Sequence, residues 1–454
     1  MNVNRSTGRH AQAMVVITAL LLLAACVLSA RAEAAEKAIW GPTTLPDGRP
    51  ALRIYEELGA DVWQSSLNWS TIAQSRPASP RDSADPPYRW PQDLAQAVVQ
   101  ANARAIGVAL LVTGSPGWAN GGRPPVWAPQ DPRDFADFMV AAARRYPSVR
   151  RWMIWGEPNR DDRFQPNREN DAIGPRAYAP LLDAAYGALK ATNPRNVVIG
   201  GMTWTGGTVK PPDFVRFMRL PSGRPPRLDW FGHNPFPFRF PDLGAGPIAE
   251  GFRDISDSDT FSRELRQAYG RPASKPVPLW LSEYTVQSDH GSATFATFVS
   301  RSAQARYLTA GFKLADALGD GVAGIGWLDL LDEPPAPASA NWGLLTAALE
   351  RKPAFAAMVA APSERLRPTV ASPKAVSRAT ARVRGVRVRI TPRAGGRVTV
   401  QLRRNDRLRA RIRAKGRARS TLIVRLRAAL RPGRYTVSVR AARAATVWRT
   451  VRVR

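Results

Sequence analysis

The chain has 454 residues, 44% hydrophobic and 22% charged, a balance that fits globular domains and excludes a disordered or collagen-like polymer. Its length leaves room for two or three domains, one with a large core. The formal net charge of +30 is concentrated: residues 361–454 hold 28 lysines and arginines against two acids, Glu364 and Asp406, whereas the first 360 residues hold 38 against 34.

In chain order, Arg5, Arg9 and His10 precede an apolar run from Met14 to Leu28 and then small residues. This is the pattern of an export signal, with cleavage after Ala32 or Ala34. The run is short for a membrane span, so a secreted or cell-surface mature chain without a transmembrane segment is expected, and an uncleaved anchor is the alternative. "LAAC" (23–26) also resembles the lipid-attachment box of bacterial lipoproteins, although Val27 and Leu28 after it stay apolar. Cys26 is the only cysteine, so no disulfide or thiolate chemistry is expected of the mature chain. His233 and His290 are then its only histidines, too few for a histidine-based zinc site.

From residue 38 to about 360, short apolar runs alternate with amphipathic stretches. Strands are expected at 38–41, 60–67, 105–113, 151–155, 196–202, 228–233, 278–283 and 321–329, with helices between them at 91–104, 131–145, 175–191 and 297–318. The helix "PRDFADFMVAAARRY" opens with Pro and an early acid, which suits the helix dipole. Eight strands, each followed by room for a helix, predict an α/β fold with a (β/α)8 TIM barrel spanning residues 36–362. A doubly wound open sheet is the competitor, but no Gly-rich phosphate loop follows the first strand.

Beyond "RLRPTVASPK" (365–374) the period becomes two. "VRVRI", "RVTVQLR", "RLRARIR", "TLIVRLR" and "RYTVSVR" each place apolar residues on one face and arginines on the other, with turns at "AGG", "ND", "KG" and "RPG". Six or seven short antiparallel strands predict a small all-β sandwich at 363–454. Its basic surface has three readings. One is nucleic-acid binding, disfavoured because Tyr435 and Trp448 are its only aromatics. The second is attachment to anionic cell-envelope polymers. The third is a solvated face that keeps the strand edges soluble.

Residues at the C-terminal ends of barrel strands line the active site of such folds. Glu157 follows the fourth expected strand and Glu283 ends the seventh. Two carboxylates facing each other across a barrel mouth are what glycoside hydrolysis needs, one donating a proton to the leaving oxygen and the other attacking the anomeric carbon or activating water. Taken singly, each acid also has an ordinary structural explanation, Glu157 as a helix N-terminal acid and Glu283 as an ion-pair partner. Tryptophans at expected strand ends (Trp40, Trp69, Trp118, Trp155, Trp204 and Trp327) suit either sugar stacking or core filling. "SPGWANGGRPP" (115–125) reads as a loop over the site.

Over residues 38–360 the sequence resembles retaining (β/α)8-barrel glycoside hydrolases, closest to families 5 and 39 and to bacterial cellulase-family glycosylhydrolases. "WMIWGEPN" is similar to their W-N-E-P motif, which implies that Glu157 is the general acid/base. "LWLSEY" is similar to their strand-seven motif and implies that Glu283 is the nucleophile. "DWFGHNPF" resembles the strand-six histidine segment, giving His233 an active-site position, and "GIGWLDLLDEP" resembles the strand-eight end, where Trp327 would form a sugar platform.

The chain departs from that pattern at three places. Gly156 stands where the family has the Asn that bonds the sugar 2-hydroxyl, Gln64 where an Arg supports the nucleophile, and Pro235 where a Tyr follows the histidine. Asn159, Asn234 and Tyr284 are the candidates to substitute, with Trp155 beside the acid. The resulting expectation is a secreted, retaining O-glycosyl hydrolase of a poly- or oligosaccharide, with no metal or organic cofactor implied. A carbohydrate-binding barrel without turnover is the alternative, and an envelope-adhesion protein acting through its sandwich is a third.

Overall fold

The computed structural model describes residues 35–454, apart from residues 170, 294, 337, 338, 365, 366, 405, 406 and 445. The expected export signal, with Cys26, and the acid Asp406 therefore lie outside the described residues. No helix among the described residues is long and apolar enough to cross a membrane.

Eight parallel strands close into a barrel: β1 (Glu36–Trp40), β2 (Val62–Asn68), β3 (Gly107–Thr113), β4 (Arg151–Ile154), β5 (Val197–Trp204), β6 (Trp230–Asn234), β7 (Leu279–Tyr284) and β8 (Val322–Trp327). Each pairs with the next, and β1 pairs with β8. Alternation along the strands separates two cores. Ala38, Trp40, Val62, Ala109, Met153, Ile199 and Trp280 fill the barrel, while Ile39, Trp63, Leu110, Trp152, Ile154, Leu281 and Ile325 pack outward under the helices.

The helices start where their sequences provide partners for the free N–H groups. Asp131 accepts from the Arg133 N–H ahead of the helix Pro132–Arg145, and Ser300 accepts from the Ala303 N–H. That second cap starts the helix Arg301–Leu318 at 301, four residues later than the apolar pattern predicts.

Register irregularities occur where strands approach the mouth. Between Leu281 and Tyr284, β7 carries one residue more than β8 opposite it, and between Gly200 and Thr203, β5 carries one more than β6. Such a bulge reverses the face on which every later side chain falls.

The C-terminal region forms seven strands in two antiparallel sheets. β9 (Thr369–Val370), β10 (Val386–Thr391) and β13 (Leu422–Leu426) make one, in the order β13-β10-β9. β11 (Gly396–Arg404), β12 (Arg407–Gly416), β14 (Gly433–Ala441) and β15 (Val447–Val453) make the other, in the order β12-β11-β14-β15. Val388, Ile390, Val400, Leu402, Val437 and Val439 lie in the core that both sheets share. The apolar alternation of β15 is masked in the sequence by Arg449, whose Nε donates to the Val370 carbonyl at 2.9 Å.

Candidate active site

The β4 strand ends in a backbone that few residues adopt. Trp155 has φ 62° and Glu157 φ 49°, two left-handed residues on either side of Gly156. Such conformations cost on the order of 1 kcal/mol or more for non-glycine residues and persist where the surroundings hold them. The Glu157 N–H donates to the Met202 carbonyl (3.0 Å) in the β5 bulge, where Met202 is itself left-handed at φ 43°. This turn swings Trp155 out into the helical layer and leaves Glu157 at the mouth.

Glu157 is nearly buried, 8% exposed, and both carboxylate oxygens are engaged. Oε1 accepts from Asn234 Nδ2 at 3.0 Å, and Oε2 pairs with the Arg160 guanidinium at 2.8 Å. Arg160 also pairs with Asp162 at 2.7 Å and lies over the Trp204 ring, 5.2 Å from its centroid.

Glu283 reaches the same place through the β7 bulge. Leu279 and Leu281 face the helices, and Trp280 faces the barrel interior. Strict alternation would send Glu283 outward, but the extra residue turns it toward the mouth and puts Tyr284 among the helices. Among the described residues no lysine or arginine lies within ion-pair distance of Glu283. Burial first, and then the neighbouring Glu157 charge, push its pKa from 4.5 up to about 8, while Arg163, Arg160 and a hydrogen bond from Asn234 act to lower it. Asn234 thus bonds Glu157 and acts to lower the Glu283 pKa, and its own Oδ1 is buried without a partner.

Gln64 is not bonded to the Glu283 carboxyl. Its Nε2 donates to the Ser282 carbonyl (2.9 Å), and its Oε1 accepts from Trp280 Nε1 (2.9 Å) and Ser282 Oγ (3.1 Å). Trp40 Nε1 donates to the same carbonyl at 3.0 Å. Gln64 and Trp40 therefore clamp the residue just before the acid. At Gly156, a side chain would start 3.2 Å from Leu111 Cδ2, so a longer residue there would have to displace Leu111.

Of the residues proposed to bind substrate, Asn234 alone stands with the acids at the mouth, bonded to Glu157. The others need correction. His233 is buried; its Nε2–H donates to the Arg253 carbonyl (2.8 Å), and Nδ1 faces Thr203 Oγ1 at 2.9 Å. Burial pushes its pKa down to about 4, so it is neutral, with both nitrogens used. The cause is parity: His233 lies on the outer face of β6 and packs on Phe261, and Asn234, one residue on, faces in.

Trp327 is wholly buried, with its indole N–H on the Trp342 carbonyl. It cannot serve as a sugar platform. Gly324 and Gly326 hold the inward positions of β8, where a Cβ would meet Trp280 or Gln64 at 2.2 Å, so Trp327 falls outside. Tyr284 is buried beside it and donates to the Tyr307 carbonyl at 2.6 Å. Trp155 is buried between Phe135 and Phe164, its N–H on the Arg163 carbonyl. Asn159 is buried too, donating to the carbonyls of Trp204, Gly206 and Val209 and accepting from the Trp204 N–H, which ties the β4 and β5 loops together.

Sequence reasoning named Trp204 for stacking or core filling but missed Arg160 and the phenylalanines of the aromatic wall. A groove of about 640 Å³ beside Arg160 is lined by Trp204, Phe252 and Phe295, with Lys210 and Asp162 at its polar side. Phe295 also stacks on Phe236 at 5.0 Å and meets Trp342 edge-on at 6.1 Å. Arg160 stands three residues after Glu157, so "GEPNR" carried that signal; Phe295 lies in a loop whose path no periodicity announces.

The geometry can be set beside known proteins. No family model matches the chain, and no curated protein matches it. Solved structures do. A family 39 glycoside hydrolase from the gut symbiont Bacteroides cellulosilyticus WH2 superposes with a TM-score of 0.52 at 16% identity, over 87% of this chain and 81% of that one. A glucosidase from Croceicoccus marinus gives 0.52 at 13% identity, over 92% and 95%. The chain shares the fold of these structures, a (β/α)8 barrel. It spans about half the length (46%) of a Bacteroides uniformis β-glucuronidase 2 that it also matches, at 14% identity, a TM-score of 0.47 and 92% of this chain.

Proposed function

We propose that the protein is a retaining O-glycosyl hydrolase working with Glu157 and Glu283. The observation that carries this reading is the pairing of the two acids: Glu157, bonded by the Asn234 amide, stands near enough to Glu283 for its charge to raise the Glu283 pKa, at the C-terminal ends of β4 and β7. Retention is proposed from the resemblance of the two motifs to retaining enzymes, whose carboxyls stand about 5–5.5 Å apart, against about 6.5–9.5 Å where a water must fit between them. The glycosidase names of the two solved neighbours support a glycoside as substrate.

In the family assignment, Glu157 protonates the leaving oxygen while Glu283 attacks the anomeric carbon. Glu157 then takes a proton from the water that releases the sugar. The aromatic wall from Trp204 to Phe295 and Trp342 would flank the bound chain, and the protein would act outside the cytoplasm after export.

A second reading exchanges the roles, and the Arg160 ion pair favours it. Glu157 is ion-paired with Arg160, an arrangement that suits a nucleophilic carboxylate, while Glu283, pushed up to about 8, keeps the proton suited to the leaving group at neutral pH. The pH dependence of kcat/KM separates the two. If Glu283 is the nucleophile, activity rises through pH 8 as it ionises; if it is the acid, activity falls there.

The test is a panel of aryl glycosides with the first-formed anomer read by NMR, followed by trapping with a 2-fluoro analogue of the best substrate. Retention and a sugar ester on Glu283 are expected, and an ester on Glu157 establishes the exchange. Inversion ends the retaining reading, and absence of turnover with any glycoside makes the barrel a binding protein.

A further inference from the structure

In the four-stranded sheet of the C-terminal domain the registers decide which side chains share a face. Arg397 stands opposite Lys415, and Arg434 opposite Arg452. Thr399 lies between Arg413 and Arg440, and Gln401 lies between Arg411 and Ser438, which in turn pairs with Trp448. The alternate positions, Val398, Val400, Leu402, Val437 and Val439, are in the core. All seven cations are exposed, and so is Trp448, at 41%.

This face is built against its own stability. Like charges directly opposite on paired strands are destabilising, and here Arg397–Lys415 and Arg434–Arg452 are such pairs. Among the described residues no carboxylate pairs with Arg397, Arg411, Arg413, Lys415, Arg434 or Arg452. Protecting an edge from aggregation takes a few charges on the outermost strand, yet cations also stand on β11 and β14 in the middle of the sheet. A soluble surface would interleave both signs.

Between the cations the face is polar and not apolar. The row Arg411, Gln401, Ser438, Trp448 crosses all four strands, about 14 Å at 4.8 Å per strand. It sets an exposed guanidinium at one end and an exposed indole at the other, with the half-buried Gln401 amide and the buried Ser438 between. Aromatic rings take the C–H faces of sugars, amides bond their hydroxyl groups, and guanidinium groups grip carboxylates in a fork. Single-stranded nucleic acid would ask for several stacking platforms, and the face has one.

We propose that this sheet face is a docking surface for an acidic polysaccharide, with carboxylates on the guanidinium rows and a sugar ring on Trp448. The surface is separate from the barrel mouth, so binding is independent of turnover and of which reading of the two glutamates holds.

The experiment uses the full chain and sodium polygalacturonate, with neutral dextran and duplex DNA as the other arms. The wild type and an inactive Glu157→Gln, Glu283→Gln variant should bind polygalacturonate equally and release it by about 0.5 M NaCl, where the Debye length falls to about 4 Å. Arg411→Ser, Arg413→Ser, Lys415→Ser, all exposed on the edge strand, should weaken binding at least tenfold. The same loss of charge on the barrel, Arg49→Ser, Arg133→Ser, Arg216→Ser, should weaken it less than twofold. Arg434→Ser, Arg452→Ser on the opposite side repeats the loss with a different pair, should either variant misfold by circular dichroism. Trp448→Ala should lower affinity without changing its salt dependence. Equal weakening by the barrel and sheet variants, binding that survives 0.5 M salt, equal binding to dextran, or tighter binding to DNA would each overturn the proposal.

Discussion

The barrel mouth and the C-terminal sheet face both concentrate charge, and they treat it in opposite ways. At the mouth, Glu157 is nearly buried and bonded by Arg160 and Asn234, and Arg160 is in turn held by Asp162 and Trp204. On the sheet, Arg397 and Lys415 face each other in solvent with no acid to neutralise them. Buried charge in a low-dielectric mouth acts at short range on one bond, whereas exposed charge acts by summed attraction over a surface. The two regions therefore answer differently to mutation, pH and salt.

The largest difference is expected in catalysis. Glu283→Gln should lower kcat/KM by about 10³-fold or more, since it removes one member of the carboxylate pair. Arg411→Ser on the sheet should leave kcat/KM on small aryl glycosides unchanged. An equal loss in both variants would break the separation of the two regions.

Asn234→Ala comes next. Hydrogen bonds to charged groups contribute about 1.5–3 kcal/mol, so a loss of about 10- to 150-fold in kcat/KM is expected. The variant also removes an interaction that lowers the Glu283 pKa, so the limb of the pH profile near 8 should move to higher pH. A profile that stays in place would mean that Asn234 does not act on Glu283.

In the barrel interior, Gly326→Ala would put a methyl 2.2 Å from Gln64 Nε2 and 2.5 Å from the Ser282 carbonyl. Overpacking costs about 1–3 kcal/mol, visible as a lower denaturant midpoint. Unchanged stability would show that the Gln64–Ser282 clamp yields easily.

Stability should also depend on pH through Glu283. Its folded pKa of about 8 lies above the ordinary 4.5, so the native state keeps a proton that the unfolded chain releases. The stability this contributes is complete below about pH 4.5 and drains away as pH rises through 8. Glu283→Gln should therefore melt like wild type near pH 4.5 and a few degrees higher at pH 8.5, followed by calorimetry. A variant that melts lower at both would show that Glu283 is not buried against its charge.

The smallest effect is on the sheet. Lys415→Glu converts a repulsive cross-strand pair with Arg397 into an attractive one, a gain of about 0.2–1 kcal/mol. Chemical denaturation should show that gain in a protein whose polygalacturonate binding is weakened. A stability loss would mean that the face is not under electrostatic strain.

Much of this was legible from residues alone. Eight apolar runs at regular spacing, with no Gly-rich phosphate loop after the first, favoured a closed parallel sheet under helices over an open one, and alternating Val and Arg favoured one-sided strands. Composition also located the positive charge, and the order of strands set Glu157 and Glu283 at the ends of the fourth and seventh. Such features depend on local periodicity, which a chain carries without knowing its partners.

Which side chains would meet was decided by tertiary structure, because in a strand one residue more or less exchanges inside for outside. "DWFGHN" offers His233 and Asn234 with equal claim, and the register of β6 sends the histidine to the helices and the amide to the mouth. In "LWLSEY" the bulge against β8 turns Glu283 inward and buries Tyr284, against plain alternation. On β8 the inward positions went to Gly324 and Gly326 because Trp280 and Gln64 already filled the space, which left Trp327 outside. Each of these outcomes rests on contacts between segments tens to hundreds of residues apart, and close packing allows only one of the two faces for each side chain.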